Sequence, residues 1–127
     1  MKEQFNILLV EADKILSKVY SEALGANGYE VRVASSAQKA INLIDEFKPH
    51  IIILEPQLSN HSGVEFLYEL RSYKDLQDIP VIILSNIPKI EFSTSLDMLF
   101  SKLKVKKYLE KDNSSIRDLV DSLKELN

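Results

Sequence analysis

Short apolar runs alternate along the chain with longer stretches in which apolar side chains recur every three or four residues. Five of the runs have the length and composition of buried strands. They cover residues 5–10, 29–34, 50–54, 80–84 and 105–109. The third and fourth runs lack alternating polar positions, which is typical of strands covered by helices on both faces.

The stretches between and after the strands carry the period of amphipathic helices. Ser35 or Ser36 is expected to begin the second helix, and Ser115 with Asp118 has the spacing of a capping box for the last. Five helices are predicted, with apolar faces made in turn by Ile15, Leu16, Val19, Tyr20 and Ala23; Ala37, Ala40, Ile41, Ile44 and Phe47; Phe66, Leu67 and Leu70; Phe92, Leu96, Leu99 and Leu103; and Ile116, Leu119, Val120 and Leu123.

The order of elements, a strand followed by a helix five times over, predicts a doubly wound α/β fold. Such a fold has a parallel sheet, right-handed crossovers and helices on both faces. No linker or repeat interrupts the pattern, so residues 1–127 are expected to form a single domain. Ligands of such sheets bind at the carboxyl ends of the strands. That rule selects Glu11, Ala12 and Asp13 after strand one, residues 55–63 after strand three, Ser85 and Asn86 after strand four, and Lys111 after strand five.

Composition narrows the functional classes. The chain has 127 residues, 45% of them hydrophobic and 28% charged, which suits one globular domain. Its net charge of −3 gives no reason to expect nucleic acid or an anionic membrane as partner. The absence of cysteine excludes disulfides, thiolate metal sites and a cysteine nucleophile. The longest aliphatic runs have four residues, and the N-terminus does not resemble a signal peptide, so a cytoplasmic protein is expected.

Residues near the predicted strand ends resemble the receiver domain of bacterial response regulators. Residues 7–13 resemble its first strand, which normally ends in an acidic pair, and residues 49–55 its third, which normally ends in the phosphorylated aspartate. Residues 79–85 resemble strand four with its terminal serine or threonine, and residues 106–111 strand five with its aromatic position and lysine. Leu58 and Gly63 match the loop after strand three. The resemblance implies a flavodoxin-like sheet of order 2-1-3-4-5 and a role in two-component phosphorelay signalling.

Two departures from the family pattern affect its chemistry. Ala12 stands where the family has a second acidic residue that binds Mg²⁺, and Glu55 stands where it has the phosphoacceptor aspartate. Glu11, Glu55 and Lys111 then give a pocket charge of −1, whereas three acids against one lysine would give −2. Mg²⁺ demands a compact oxygen-rich site, so binding is expected to be weak or absent, with no cofactor and no enzymatic activity. The segment between Ser85 and Lys111 is also longer than usual.

The residues leave two interpretations of Glu55 open. Its longer carboxylate could form a persistent ion pair with Lys111 and fix one conformation without phosphate, or it could face solvent in an inactive pocket. Ser85 and Tyr108 resemble the hydroxyl–aromatic pair through which receivers couple the pocket to a partner surface. Alternatively, Ser85 merely ends a strand and Tyr108 packs at the edge of the sheet.

Three functions are weighed. The favoured one is a stand-alone degenerate receiver (a pseudo-receiver) that acts as a phosphorylation-independent interaction module. Its partners would be a histidine kinase or a downstream output protein, and a homodimer is possible, all through the face of predicted helix four, strand five and helix five. The alternative is a functional receiver with weak phosphoryl acceptance at Glu55 and a metal held by Glu11, Asp13 and the carbonyl of Gln57. A flavodoxin-like binder of flavin or another small molecule has only fold analogy behind it.

Two remaining features have mainly structural explanations. Five lysines lie near strand five and suggest either an acidic partner or a solvated helix end: Lys102, Lys104, Lys106, Lys107 and Lys111. Without interleaved aromatic residues they are weak evidence for nucleic-acid binding. His50 and His61 have no second ligand at metal spacing, so both are expected to be surface residues.

Overall fold

The computed structural model describes residues 5–58 and 62–126. They form a five-stranded, fully parallel sheet of order β2-β1-β3-β4-β5, which confirms the predicted α/β fold. Each predicted strand is present to within one residue at either end. The strands are β1 Asn6–Val10, β2 Glu30–Ala34, β3 Ile51–Leu54, β4 Val81–Ser85 and β5 Val105–Glu110.

Helices cover both faces of the sheet, as predicted. They are α1 Lys14–Ala26, α2 Ala37–Phe47, α3 Gly63–Ser72 and α4 Ile116–Leu126. One apolar cluster joins alternate strand residues to α2 and α3, and a second joins the others to α1 and α4. None of the helices in the described residues is long and apolar enough to cross a membrane.

Side-chain caps begin the helices. Asp13 Oδ1 accepts hydrogen bonds from the amides of Ile15 and Leu16, and Ser36, rather than Ser35, caps α2. The predicted capping box of α4 is present, since the Ser115 amide donates to Asp118 Oδ2 at 2.8 Å and the Asp118 amide donates to Ser115 Oγ at 3.1 Å. The hydrogen bond from the Ser115 amide lowers the pKa of Asp118. These local signals therefore set the helix starts in the way the sequence indicates.

The predicted apolar face of α1 is partly wrong. Ile15 and Val19 were expected to face the core, yet they are 77% and 48% exposed. The buried positions of α1 are Ser17 and Leu24, with Tyr20 half-buried between them. Apolar residues occupy more than one side of this helix, so periodicity alone did not determine which side packs on the sheet.

The predicted fourth helix is not a regular α-helix. A 3₁₀ turn spans Lys89–Phe92, and a π-helical turn spans Met98–Lys102. Within that turn the Leu103 amide donates to the Met98 carbonyl at 2.8 Å. The predicted apolar positions still pack on the core: Leu99 and Leu103 are buried, and Phe92 and Leu96 are partly buried against the same cluster.

The Arg71 side chain ties this irregular segment to α3. Its Nε donates to the Leu103 carbonyl at 2.8 Å, and Nη1 donates to the carbonyls of Leu76, Gln77 and Ile79. Burial lowers the pKa of this guanidinium, although it stays charged. One side chain thus satisfies backbone acceptors in two loops that are distant in sequence.

Replacing Arg71 by Met should therefore destabilise the fold by about 2–3 kcal/mol, since several half-buried carbonyls lose a charged donor. Arg71→Lys should recover little, because an ammonium cannot reproduce the planar fork. Urea unfolding measures the effect. Arg117→Met is the matched control, because Arg117 is exposed and its loss should change the free energy of unfolding by less than about 0.5 kcal/mol. Equal effects of the two methionine variants would contradict the structural role of Arg71.

Candidate functional site at the carboxyl edge of the sheet

Four strand ends bring their polar side chains to one point. Glu11 follows β1, Glu55 follows β3, Ser85 ends β4 and Lys111 follows β5. Both glutamates and the serine are buried, and the Lys111 side chain is only 5% exposed. The topology therefore assembles the predicted pocket from residues up to 100 positions apart.

Lys111 lies between the two buried carboxylates. Its Nζ donates to Glu11 Oε1 at 2.5 Å and to Glu55 Oε1 at 3.0 Å. Burial by itself would lower the pKa of Lys111, but the hydrogen bonds that its ammonium donates to the two glutamates, with their negative charge, outweigh burial and raise the pKa above its ordinary value. The ammonium thus acts as the internal counter-ion of both acids.

Glu55 accepts three further hydrogen bonds. Oε2 accepts from the Ser85 hydroxyl at 2.7 Å and from the Gln57 amide at 3.2 Å, and Oε1 accepts from the Asn86 amide at 3.2 Å. Glu55 is 3% exposed, so the interpretation of a solvent-facing residue is wrong. Both carboxylate oxygens are held by donors from the β3–α3 and β4–β5 connections.

The hydroxyl–aromatic pair continues from this pocket towards the surface. Ser85 Oγ accepts from the Ile87 amide at 2.9 Å, and the Tyr108 hydroxyl donates to the Ile87 carbonyl at 2.5 Å. Tyr108 is 8% exposed, and burial raises the pKa of its hydroxyl. The backbone of Ile87 is therefore held by Ser85, which also donates to Glu55, and by Tyr108.

The residues present do not fit a Mg²⁺ site. Ala12 offers no side-chain ligand, and Asp13 is exposed with its carboxylate engaged in the cap of α1. Glu11 uses its second oxygen to accept from the Asp13 amide at 3.2 Å. Among the described residues, no three His, Cys, Asp or Glu side chains are grouped as metal ligands. In the alternative ligand set of Glu11, Asp13 and the Gln57 carbonyl, Asp13 Oδ1 already accepts two hydrogen bonds in the cap of α1.

The lysines of the β5 region do not form one patch. Lys104 pairs with Asp78 at 3.0 Å, Lys107 pairs with Glu125 at 3.2 Å, and Lys111 is buried. Lys102 and Lys106 remain exposed. Pairing and burial therefore reduce the positive charge that the sequence suggested for a partner surface.

The histidines lie away from the pocket or outside the described residues. His50 Nδ1 accepts from the Asn6 amide at 2.9 Å, and its ring stacks on Phe5 at a centroid distance of 4.9 Å. This places it at the amino end of the sheet, as expected. His61 lies outside the described residues.

Glu110 is a pocket neighbour that the sequence did not single out. Its Oε2 accepts from the Lys89 amide at 3.2 Å and its Oε1 accepts from the Asn113 side chain at 3.0 Å. Glu110 thus holds the 3₁₀ turn while the adjacent Lys111 holds the pocket. Glu110 ends β5 and Lys111 follows it, and only the fold shows which groups the two side chains meet.

Comparison with known proteins agrees with this geometry. Residues 7–124 match the response regulator receiver domain family, and the chain belongs to it. Over 81 residues it is 35% identical to the probable transcriptional regulator ycf29 of Pyropia yezoensis, covering 64% of this chain and 36% of that protein. Over 77 residues it is 31% identical to the polar-differentiation response regulator DivK of Brucella ovis, covering 61% and 63%. The matched region thus spans less than two thirds of either relative.

Solved structures show the same fold. Chemotaxis protein CheY4 of Vibrio cholerae superposes with a TM-score of 0.86 at 18% identity, covering 98% of this chain and all of the other. A CheY-like receiver domain protein of Methanospirillum hungatei gives a TM-score of 0.82 at 22% identity, covering 97% and 93%. At such identities the likeness concerns the fold alone. With the family match, it makes the chain a receiver domain of two-component response regulators, a signalling module.

Proposed function

We propose that this receiver is a pseudo-receiver, an interaction module that works without phosphorylation. The observation that carries the proposal is the set of hydrogen bonds made by Glu55 to Lys111, Ser85 and the Asn86 amide. A cation, a hydroxyl and a backbone amide are the donors that a phosphoryl group needs. Here a carboxylate of the chain itself engages all three, so the pocket has its anion permanently.

The same contacts oppose phosphoryl transfer to Glu55. Its carboxylate is buried and held at both oxygens, and the extra methylene displaces it from the aspartate position by roughly the 1 Å that costs about 10²-fold in rate. Ala12 removes one carboxylate that would attract Mg²⁺. The missing metal ligand and the hydrogen-bonded state of the Glu55 carboxylate thus both oppose phosphoryl transfer to Glu55.

The partners proposed are signalling proteins, either a histidine kinase or an output protein. The surface proposed for them comprises the 86–104 segment, β5 and α4. It connects to the pocket through Tyr108, which holds the Ile87 carbonyl, and through Glu110, which holds the Lys89 amide. Glu55 would then fix the conformation of this surface. The amount of bound partner would depend on the concentration of the protein and not on its phosphorylation.

The proposal is tested by two-dimensional amide NMR spectra with and without Mg²⁺ plus beryllium fluoride, a phosphoryl mimic. Spectra of the wild-type chain should not change. Glu55→Ala should raise the amide exchange rates of Ile87 and Lys89 by about tenfold or more, because Ser85 and Lys111 lose a charged partner. Glu46→Ala, an exposed glutamate on α2, is the control. Joint shifts of Glu11, Ser85, Tyr108 and Lys111 in the wild-type chain would instead show a receiver that still responds to phosphoryl groups.

A further inference from the structure

An oxidisable sulfur lies at the start of the π-helical turn Met98–Lys102. Because cysteine is absent, the two methionines, Met1 and Met98, carry the only sulfur atoms of the chain. Met1 lies outside the described residues. Met98 packs, partly buried, against the apolar cluster that joins the sheet to α2 and α3, and its carbonyl accepts the hydrogen bond from the Leu103 amide. A chemical change of this side chain therefore acts directly on the irregular segment.

Tyr68 of α3 contacts both ends of the π turn. Its hydroxyl donates to Met98 Sδ at 2.7 Å, and Lys102 Nζ lies 5.8 Å from the centre of its ring. The hydrogen bond to the sulfur lies at the surface, and Tyr68 is 43% exposed, so a small oxidant has access to Sδ. The contact between α3 and the π turn thus includes a sulfur atom that an oxidant in solution can reach.

We propose that Met98 is a site of reversible oxidation by a peroxide, and that its sulfoxide weakens the contact between the π turn and α3. A lone pair of Sδ attacks one peroxide oxygen and the O–O bond breaks, so that hydrogen peroxide yields the sulfoxide and one water molecule. The sulfur is oxidised by two electrons and the peroxide is reduced by two. In the reverse reaction a dithiol supplies two electrons and becomes a disulfide, and the sulfoxide oxygen leaves as water.

The sulfoxide oxygen is incompatible with the contact that Tyr68 makes. A separation of 2.7 Å leaves no space for an atom between Sδ and the hydroxyl oxygen, so the tyrosine ring or the Met98 side chain must move. The sulfoxide is also polar, and Met98 is packed against an apolar cluster. Arg71 still holds the Leu103 carbonyl, so the change should stay local to the π turn and not unfold the domain.

The proposal goes beyond the pseudo-receiver proposal. It adds a covalent input that acts on the 86–104 segment, part of the surface proposed for partners, without using the Glu55 pocket. The contacts of Met98 with Tyr68 and with the apolar cluster are the same whether or not Glu55 accepts a phosphoryl group. Failure of one proposal therefore leaves the other intact.

Treatment of the folded chain with hydrogen peroxide tests the site. Peptide mapping by mass spectrometry should show one added oxygen atom at Met98, at a rate within about tenfold of the rate in the urea-unfolded chain. Oxidation should raise the amide exchange rates of residues 99–103 by about tenfold or more, and those of α4 by less than about twofold. A methionine sulfoxide reductase should restore the original exchange rates. A slower oxidation of Met98, or unchanged exchange in residues 99–103, would overturn the proposal.

Two variants assign the effect to this contact. Met98→Leu keeps the size and apolar character of the side chain but cannot be oxidised, so peroxide should no longer change the exchange rates. Tyr68→Phe removes the hydroxyl, so exchange in the π turn should be faster before treatment, and oxidation should add less than about threefold. Circular dichroism verifies that each variant is folded. A full response to peroxide in either variant would overturn the proposal, because the response would then come from Met1 or from a contact other than that with Tyr68.

Discussion

The double substitution Ala12→Asp and Glu55→Asp is expected to create Mg²⁺-dependent phosphoryl acceptance that the wild-type chain lacks. The first change supplies a carboxylate next to Glu11, and the second withdraws the acidic group by one methylene. The pocket charge of Glu11, the two new aspartates and Lys111 becomes −2, compared with −1 in the wild-type chain. Both changes favour a divalent cation and leave room for a phosphoryl group near Ser85 and Lys111.

Intact-mass measurement after incubation with acetyl phosphate checks this expectation. The double variant should gain the mass of one phosphoryl group only when Mg²⁺ is present. Each single variant should react much more slowly, because one lacks the metal ligand and the other keeps the displaced acceptor. Equal labelling of the wild-type chain would show that Glu55 is a working acceptor, and no labelling of the double variant would show that other residues also block the chemistry.

The regular part of the fold was predictable because its signals are local. Unbroken apolar runs such as Ile51–Leu54 and Val81–Ser85 correspond to strands buried on both faces. The capping box of Ser115 and Asp118 fixed the start of α4. Two helix predictions failed where local signals were ambiguous. In α1 apolar residues lie on two sides of the helix, and the 86–104 segment forms a 3₁₀ turn and a π-helical turn instead of a regular α-helix.

The location of the site was also predictable, but its internal contacts were not. Parallel topology places the ends of β1, β3, β4 and β5 together, which is why Glu11, Glu55, Ser85 and Lys111 could be selected from spacing and resemblance. That one ammonium serves both glutamates depends on side-chain conformations at residues 56 and 100 positions apart. The hydrogen bonds from Arg71 to backbone carbonyls were also not predicted. They join segments that are distant in sequence, and a single arginine near the end of a helix does not by itself indicate such contacts.

These contacts give Lys111 two roles that are usually separate. In a pocket that binds a metal ion, the metal ion balances the charge of the acidic side chains, and the lysine remains available to bind the phosphoryl group. Here Lys111 lies within hydrogen-bonding distance of both Glu11 and Glu55. It therefore balances the charge of the two buried acids, in addition to being the residue placed to bind a phosphoryl group. The stability of the fold should consequently depend on the residue that the signalling chemistry would have used.

Lys111→Met should therefore destabilise the chain by about 3–5 kcal/mol at neutral pH, because it leaves Glu11 and Glu55 buried without a counter-ion. Urea unfolding measures the change, and Lys106→Met, at an exposed position of β5, should change the free energy of unfolding by less than about 0.5 kcal/mol. Adding Glu55→Gln to Lys111→Met should recover part of the loss, since one buried charge is then removed.

The pH dependence gives the same prediction a second readout. The pKa of Lys111 is raised above the ordinary value of a lysine, so its contribution to stability is fully present below that ordinary value and is lost as the pH rises through the folded-state pKa. The difference in the free energy of unfolding between the wild-type chain and Lys111→Met should then decrease at strongly alkaline pH. The small effect of Lys106→Met on the same free energy should stay small. If this difference in the free energy of unfolding is small at neutral pH, or does not decrease at alkaline pH, the two glutamates are stabilised by groups other than Lys111. Lys111 would then contribute no more than an exposed lysine does.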